Sequence, residues 1–391
     1  MQNDLRKRSF VVVTILVIVV PLFATVSASD WEVSPSVQFI EEYNDNILFS
    51  RDEFELDDFV TYVQPRLEAI YSTERFHLTL DSGLEAEAYI DNDDLNTIDH
   101  DHRIALSHAL SPSFSLTAGG YFRQDTTLEQ ELIEEGLLAR REDRRKFGGN
   151  IGFDHALSSR LGLSGGWVRG YTEYPDHPNY VADSSSDILQ LVPRYALSPQ
   201  TSLFLNLAYI DTDYDYDLDR SIKNYSIMPS FRHDFAEDFY VSGGAGYRYT
   251  EEEFGPLDED TDGFVFSLLF HRDWKRSSIE LLGSRDQYAS LEGLSVERNR
   301  VTLRGAYRLT ARFRTALSAT FRRNRYESTY DDTDYFIISP NLSYDLTQNI
   351  TLQGSVSYDK YAYDEDEDSD KERFRASLAL DLTWPRLWSG H

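Results

Sequence analysis

Apolar and polar positions alternate one by one along most of this chain. Phe374, Ala376, Leu378, Leu380, Leu382 and Trp384 alternate with Arg373, Arg375, Ser377, Asp381 and Thr383. Ile350, Leu352, Gly354, Val356 and Tyr358 alternate with Thr351, Gln353, Ser355, Ser357 and Asp359. Phe114, Leu116, Ala118, Gly120 and Phe122 do the same against Ser113, Ser115, Thr117, Gly119 and Tyr121. Successive side chains of an extended strand point to opposite faces, so each segment has one apolar and one polar side. A single such strand fits any half-buried sheet. Many of them, each about ten residues or longer, predict an all-β fold, a transmembrane antiparallel up-and-down β-barrel with lipid outside and a wet interior.

The connections alternate too. Ala109–Ser113, Ala156–Arg160, Ala196–Gln200, Arg308–Arg312 and Asp345–Asn349 are short, each with Leu followed by Ser or Thr and a turn former. Serine and threonine hydroxyls bond nearby backbone and Pro fixes φ, so these predict tight hairpins. Between them fall longer acidic stretches, among them Asn44–Asp57, Asp125–Glu142, Glu173–Ser186, Thr212–Arg220, Glu251–Thr261 and Ala362–Lys371. Short turns on one rim and long loops on the other is the arrangement of an outer-membrane barrel. The pattern predicts about 18 strands, or 16 if the first pair stays out of the wall. They start near residues 32, 58, 75, 99, 113, 143, 160, 187, 201, 221, 239, 262, 277, 296, 312, 333, 350 and 372. Pro65, Pro193, Pro229 and Pro340 fall inside four descending strands, where a missing N–H predicts bulges or bends. No plug domain is expected, because the first strand follows the N-terminal segment directly.

That N-terminal segment reads as a signal peptide over residues 1–28, leaving residues 29–391 as the barrel domain. Arg6-Lys7-Arg8 precedes an apolar run from Phe10 to Val20, and Val26-Ser27-Ala28 supplies a cleavage site. The chain has 391 residues, no cysteine and a net charge of −29, and cleavage would leave it more acidic still. An exported, cysteine-free, aromatic-rich chain suits the cell outer membrane of a Gram-negative envelope, and its acidity argues against nucleic acid as a partner. The mean hydropathy is negative, which does not count against a barrel, since only alternate residues meet lipid. The expected surroundings are outer-membrane lipid, lipopolysaccharide and the barrel-assembly machinery.

Trp31-Glu-Val-Ser-Pro-Ser-Val-Gln-Phe-Ile-Glu-Glu-Tyr-Asn-Asp-Asn-Ile47 resembles the opening of the β-barrel porin type 2 outer-membrane proteins. The acidic approach to Phe59-Val-Thr-Tyr-Val-Gln-Pro65 resembles that family as well. The resemblance implies a barrel from a family found near exopolysaccharide and exosortase gene clusters. It also implies a role in carrying polysaccharide across the outer membrane with periplasmic export components. The C-terminus departs from the usual pattern: Trp384 is followed by Pro385 to His391, so Trp384 or Trp388 would take the place of the terminal aromatic residue used in assembly.

Catalytic and metal motifs are weak. Gly162-Leu-Ser164-Gly-Gly166 matches a nucleophile-elbow spacing, but it sits mid-strand, where the strand–turn–helix context is absent. Asp211 to Asp219 places Asp at alternate positions without the Gly and terminal Glu of a calcium loop, and reads as a solvated acidic loop. No enzyme activity, cofactor or metal is expected. The polar face carries the functional signal. Arg300, Arg304, Arg308, Arg314, Arg322, Arg375 and Arg248 fall on predicted inner faces, with Arg66, Arg194 and Arg232. An Arg facing lipid near the midplane costs about 2–4 kcal/mol, so these side chains belong inside. Asp81, Glu85 and Glu87 face them from the third strand, and Tyr62, Tyr89, Tyr121 and Tyr240 offer rings for sugar stacking. Two readings stay open: a porin-like transport channel for export of an extracellular polysaccharide, and a structural or adhesive surface barrel without an open pore, braced by salt bridges, with an outer-membrane enzyme on the barrel as the more distant alternative.

Overall fold

In the computed structural model the chain is a closed barrel of eighteen antiparallel strands. The structure describes residues 31–384, apart from 129–131, 133–140, 177–180, 216–219, 255–256, 291–293, 327–331 and 365–368, together with 388–389. The signal peptide expected over residues 1–28 lies outside the described residues. In chain order the strands begin with β1 (Trp31–Asn44), β2 (Asp58–Ser72), β3 (Phe76–Tyr89), β4 (Thr97–Ser111), β5 (Phe114–Thr126) and β6 (Asp143–Ala156). Then come β7 (Leu161–Glu173), β8 (Ser184–Ser198), β9 (Thr201–Tyr214), β10 (Arg220–Ala236), β11 (Phe239–Phe254) and β12 (Leu257–Asp273). The ring is completed by β13 (Ser277–Ala289), β14 (Ser295–Arg308), β15 (Phe313–Tyr326), β16 (Thr333–Asp345), β17 (Ile350–Tyr363) and β18 (Lys371–Thr383). Each pairs with its chain neighbour, and β1 closes the ring by pairing Asn44 to Ser36 against Arg375 to Thr383 of β18. A two-residue strand β19 (Trp388–Ser389) continues that seam along Glu32 and Val33. Both members of the first pair are full wall strands, which decides for eighteen over sixteen.

The alternation has the predicted sense. Phe39, Ile104, Ile151, Leu189, Phe264, Leu281, Val301, Leu342 and Leu378 are exposed apolar side chains on one face of their strands. Their neighbours, such as Thr302, Asn324, Tyr335 and Asp359, are buried on the other. An inside-out surface of this kind is stable only in lipid, where the apolar face is solvated by acyl chains and the backbone is satisfied by the closed ladder.

The four prolines behave differently from expectation. Val63 pairs with Ala86 and Arg66 with Gly83, so the β2–β3 ladder resumes past Pro65 in unchanged register. The same holds at Pro193, Pro229 and Pro340. Each Pro keeps its pairing to the preceding strand and interrupts the ladder to the following one. These are gaps without an inserted residue, not bulges: the missing N–H removes a bond but adds no length.

The Tyr43-Asn-Asp-Asn-Ile47 segment has a structural job at the seam. Asp45 accepts the Phe374 N–H on Oδ1 at 2.7 Å and donates its own N–H to the Phe374 carbonyl at 3.2 Å. The fully buried Asn46 donates to the Ser50 and Glu372 carbonyls and accepts the Ser50 N–H. Ile47 packs with Val60 and Tyr89. The segment therefore ties the β1–β2 loop across the junction of the first and last strands. Asn46→Ala is expected to cost about 1–3 kcal/mol, because the Ser50 and Glu372 groups lose buried partners. Faster proteolytic cutting between residues 45 and 57 is the measurement; an unchanged rate would remove the clasp.

Candidate functional site

The inner wall is electrically two-sided. On β3 and β4 the inward residues include Asp81, Glu85, Glu87, Asp99 and Asp101, and Arg66 and Arg103 answer two of them at 2.6 Å (Asp81) and 2.9 Å (Asp101). A cavity of about 310 Å³ opens among Gln38, Gln64, Arg66, Glu85, Asp99 and Arg123. The strand expected to start near residue 99 begins at Thr97, two residues earlier, so Asp99 belongs to the wall and faces the lumen with Asp101.

About half-way round the ring, β14 and β15 carry the arginines. Strand register sets Arg300 directly opposite Arg322 and Arg308 directly opposite Arg314. Arg304 reaches Glu280 at 2.9 Å and Arg314 reaches Asp345 at 2.6 Å. Arg300 and Arg308 make no ion pair with any described residue. Like charges facing each other across a ladder are destabilising, so two such pairs on one face are not explained by bracing alone.

The remaining arginines are engaged elsewhere. Arg375 shares the fully buried Asp359 with Arg373, at 2.9 and 2.8 Å. Arg248, also buried, donates to the Thr250 hydroxyl at 2.7 Å. Arg322 is buried beneath a carbonyl of the β5–β6 connection, donating to Leu132 O at 2.9 Å with its guanidinium over the Tyr335 ring. Arg66 is held by Asp81, Arg232 by Asp234 and the Tyr240 ring, and Arg194 lies beside Gly162. Arg304, Arg308 and Arg314 are the members of the ladder open to solvent.

Two segments at the long-loop rim fold inward. Leu128 and Leu132, from the β5–β6 connection, are buried with Phe49, Tyr335 and Tyr361, which reach in from the β1–β2 loop, β16 and β17. Phe49 holds a left-handed backbone (φ 48°), and Arg373 lies over its ring. The strap is tied where it leaves the wall. Arg144 forms a buried bidentate pair with Asp125, both bonds 2.9 Å, and Arg141 donates to Tyr89 and Leu95 at 2.9 and 3.0 Å. Sequence reasoning missed this strap; the signal was Leu128 and Leu132, four residues apart inside an otherwise acidic loop. The second inward segment is the tip of the β13–β14 hairpin, where Ala289 packs with Ala182, Tyr214 and Ile222. Tyr214 donates its hydroxyl to the Ser290 carbonyl at 2.5 Å.

Of the four tyrosines considered for sugar stacking, Tyr62 and Tyr89 pack into the cluster around Ile47. Tyr240 lies between Arg232 (3.7 Å) and the stacked His271 ring (5.0 Å). Tyr121 keeps an accessible inward ring, its hydroxyl reaching over Gly148 and Gly170, where a Cβ would come within 2.9 and 2.8 Å. Ser164 is a mid-strand residue of β7, and Asp211 and Asp213 belong to β9 rather than to a loop, so neither motif has the context its chemistry needs. Asp217 and Asp219 lie outside the described residues.

The family model described as "Putative beta-barrel porin 2" matches residues 26–226. No curated protein matches the sequence. Among solved structures, Pseudomonas aeruginosa OccK2 (OpdF) in complex with glucuronate is similar with a TM-score of 0.51 at 11% identity, covering 92% of this chain and 99% of that one. Pseudomonas aeruginosa OpdO gives 0.51 at 14%, covering 93% and 99%. The FrpB iron transporter of Neisseria meningitidis gives 0.54 at 10%, covering 91% and 68%. At these identities the likeness is one of fold.

Proposed function

The chain belongs to the putative beta-barrel porin 2 family, and from that premise we propose that this outer-membrane porin-like barrel is a channel for acidic saccharides. One observation carries the reading: Arg300 and Arg308 stand on the inner wall without carboxylate partners among the described residues, each directly opposite a second arginine. A barrel interior can be braced by neutral pairs. The unneutralised guanidinium groups of Arg300 and Arg308 raise the local anion concentration, and their planar forks match carboxylate geometry. The acidic wall of β3–β4 opposes them, which orients a solute carrying both a carboxylate and hydroxyl groups. A uronate has that chemistry, and glucuronate is the compound bound to the fold neighbour OccK2.

The cargo we favour is an acidic polysaccharide, or pieces of one, leaving the cell with the help of periplasmic export components. A second reading, a structural or adhesive barrel without an open pore, is favoured by the two inward segments at the mouth. Planar-bilayer recording separates the two. The channel reading expects a reversal potential of anion-selective sign in a salt gradient, and blockade of current by glucuronate but not by glucose at equal concentration. Steady absence of conductance supports the closed barrel, and cation preference sinks the arginine-wall argument. Passage of polymer further requires that oligo-uronides block from the short-turn side; if only monomers do, the channel serves small solutes.

A further inference from the structure

Among the described residues, the barrel wall is interrupted beside the upper part of β12. Strand β12 runs from Leu257 to Asp273, but its ladder to β13 begins only at Phe266, opposite Arg285. Above that point β12 pairs with β11, and Asp262–Val265 present a free strand edge where Asp286–Ala289 would be expected to pair. The continuation of β13 is not lost. Asp286–Ala289 keeps its pairing to Arg298–Ser295 of β14, and the two move inward as one hairpin.

Its inward position is held by a few contacts. Gln287 Oε1 lies 3.1 Å from the hydroxyl of Thr250, on the inner face of β11. Tyr214 donates to the Ser290 carbonyl, and Ala289 packs against the cluster around Tyr214 and Ile222. The tip thus leans along the inner wall from β13–β14 as far as β9–β10 and leaves a notch behind it. An unpaired edge of this length is a template for another strand.

We infer that the free edge of β12 is the docking surface for the chain's own Asp286–Ala289 segment, and that the β13–β14 hairpin is a two-position flap. Tucked, it narrows the mouth on that side; zipped to β12, it completes the wall and clears that part of the lumen. Continuing the observed register sets Val265 opposite Asp286, Phe264 opposite Gln287, Gly263 opposite Tyr288 and Asp262 opposite Ala289. The fit is good at the crowded position. Tyr288 would pass over Gly263, which has no side chain, and an aromatic residue over a strand glycine is a favourable cross-strand pair. In the tucked position the same spot is taken by Arg248, whose Nη2 lies 2.6 Å from where a Cβ on Gly263 would be. Glycine leaves room there for the Arg248 guanidinium in one state and for the Tyr288 ring in the other. The exchange is balanced: zipping gains ladder bonds and loses the Tyr214 and Gln287 contacts, and a two-state element with a gap of a few kcal/mol is what a switch requires.

The chain has no cysteine, so an engineered pair is the only pair. Asp262→Cys with Ala289→Cys, which the structure leaves unpaired, should form a disulfide under mild oxidant in the full-length inserted barrel. The disulfide should raise single-channel conductance, and a reductant should reverse it. Thr250→Cys with Gln287→Cys, bridged by a short bis-maleimide, should hold the lower level. Independently, Tyr214→Phe removes one latch and should raise the zipped-to-tucked ratio about fivefold. If the 262/289 pair stays reduced under oxidant in barrels whose 250/287 variant the bis-maleimide fully bridges, or if Tyr214→Phe leaves 262/289 trapping unchanged, the flap is wrong. Cross-linking is read on gels whether or not the barrel conducts, so its failure is distinct from failure of the channel reading.

Discussion

Replacing Arg300 and Arg308 with Ser is expected to remove most of the barrel's anion preference without weakening the fold. Two lining charges at 4–6 Å from a permeating carboxylate interact with it by about 3–4 kcal/mol each at an effective dielectric near 20, before screening. Mobile ions reduce that to a fraction, and an anion-to-cation permeability ratio lower by about tenfold is the expected outcome at moderate salt. The acidic long loops do not compensate, because charges farther than about 8–10 Å are screened. The stability half of the prediction is sharper. Arg300 opposes Arg322 and Arg308 opposes Arg314 in the β14–β15 register, so each substitution relieves a like-charge contact. The double variant should denature at the wild-type temperature or slightly above it. Adding Arg304→Ser and Arg314→Ser removes the arginine partners of Glu280 and Asp345, and should carry the lumen over to cation preference while costing some stability. Reversal potentials and heat-modifiability on gels measure the two halves. Normal selectivity in the double variant would end the arginine-wall account, and loss of assembly would make these residues braces.

The strands were legible because lipid is a strict solvent. Where a strand crosses the membrane, one face must be apolar at every second residue, and predicted starts such as 58, 143, 201, 239, 277, 333 and 350 coincide with observed ones. Beyond the membrane that constraint ends, and so did the reading. Strands β11 and β12 continue as a hairpin to Phe254 and Leu257, where acidic residues occupy both faces and the sequence looks like a loop. Asp211 and Asp213 read as a loop for the same reason, although they lie in β9. Inner arginines could be placed on a face but not in a state. Alternation puts Arg304 and Arg322 on the same side, yet only the fold of a connection nearly two hundred residues earlier decides that Arg322 is covered by Leu132 and Arg304 is open. The register that opposes Arg300 to Arg322 was likewise hidden. It depends on the length of one short turn, which periodicity does not specify. The family-like Tyr43–Ile47 segment was recognisable as a motif. Its role as a seam clasp needed the partner residues Glu372 and Phe374 from the far end of the chain.

The same long-range logic makes Asp359→Ala the most destabilising single change expected in this barrel. Asp359 is the shared carboxylate of Arg373 and Arg375, and both Asp359 and Arg373 are fully buried. Removing it leaves one guanidinium in a closed site and a second partly covered, and breaking such a pair from one side costs about 3–5 kcal/mol. Arg373 also lies over Phe49, which anchors the cluster with Leu128 and Leu132, so the strap should loosen with it. The expected result is a lower heat-modifiability temperature, together with faster proteolysis in both the β1–β2 and β5–β6 connections. Arg373→Met combined with Asp359→Leu should recover much of the loss, because apolar replacement of a buried pair is often neutral. A merely local defect would open the β1–β2 loop alone. If Asp359→Ala denatures within about 1 kcal/mol of the wild type, the buried triad does not hold the mouth, and the strap must be secured at its Arg144–Asp125 end instead.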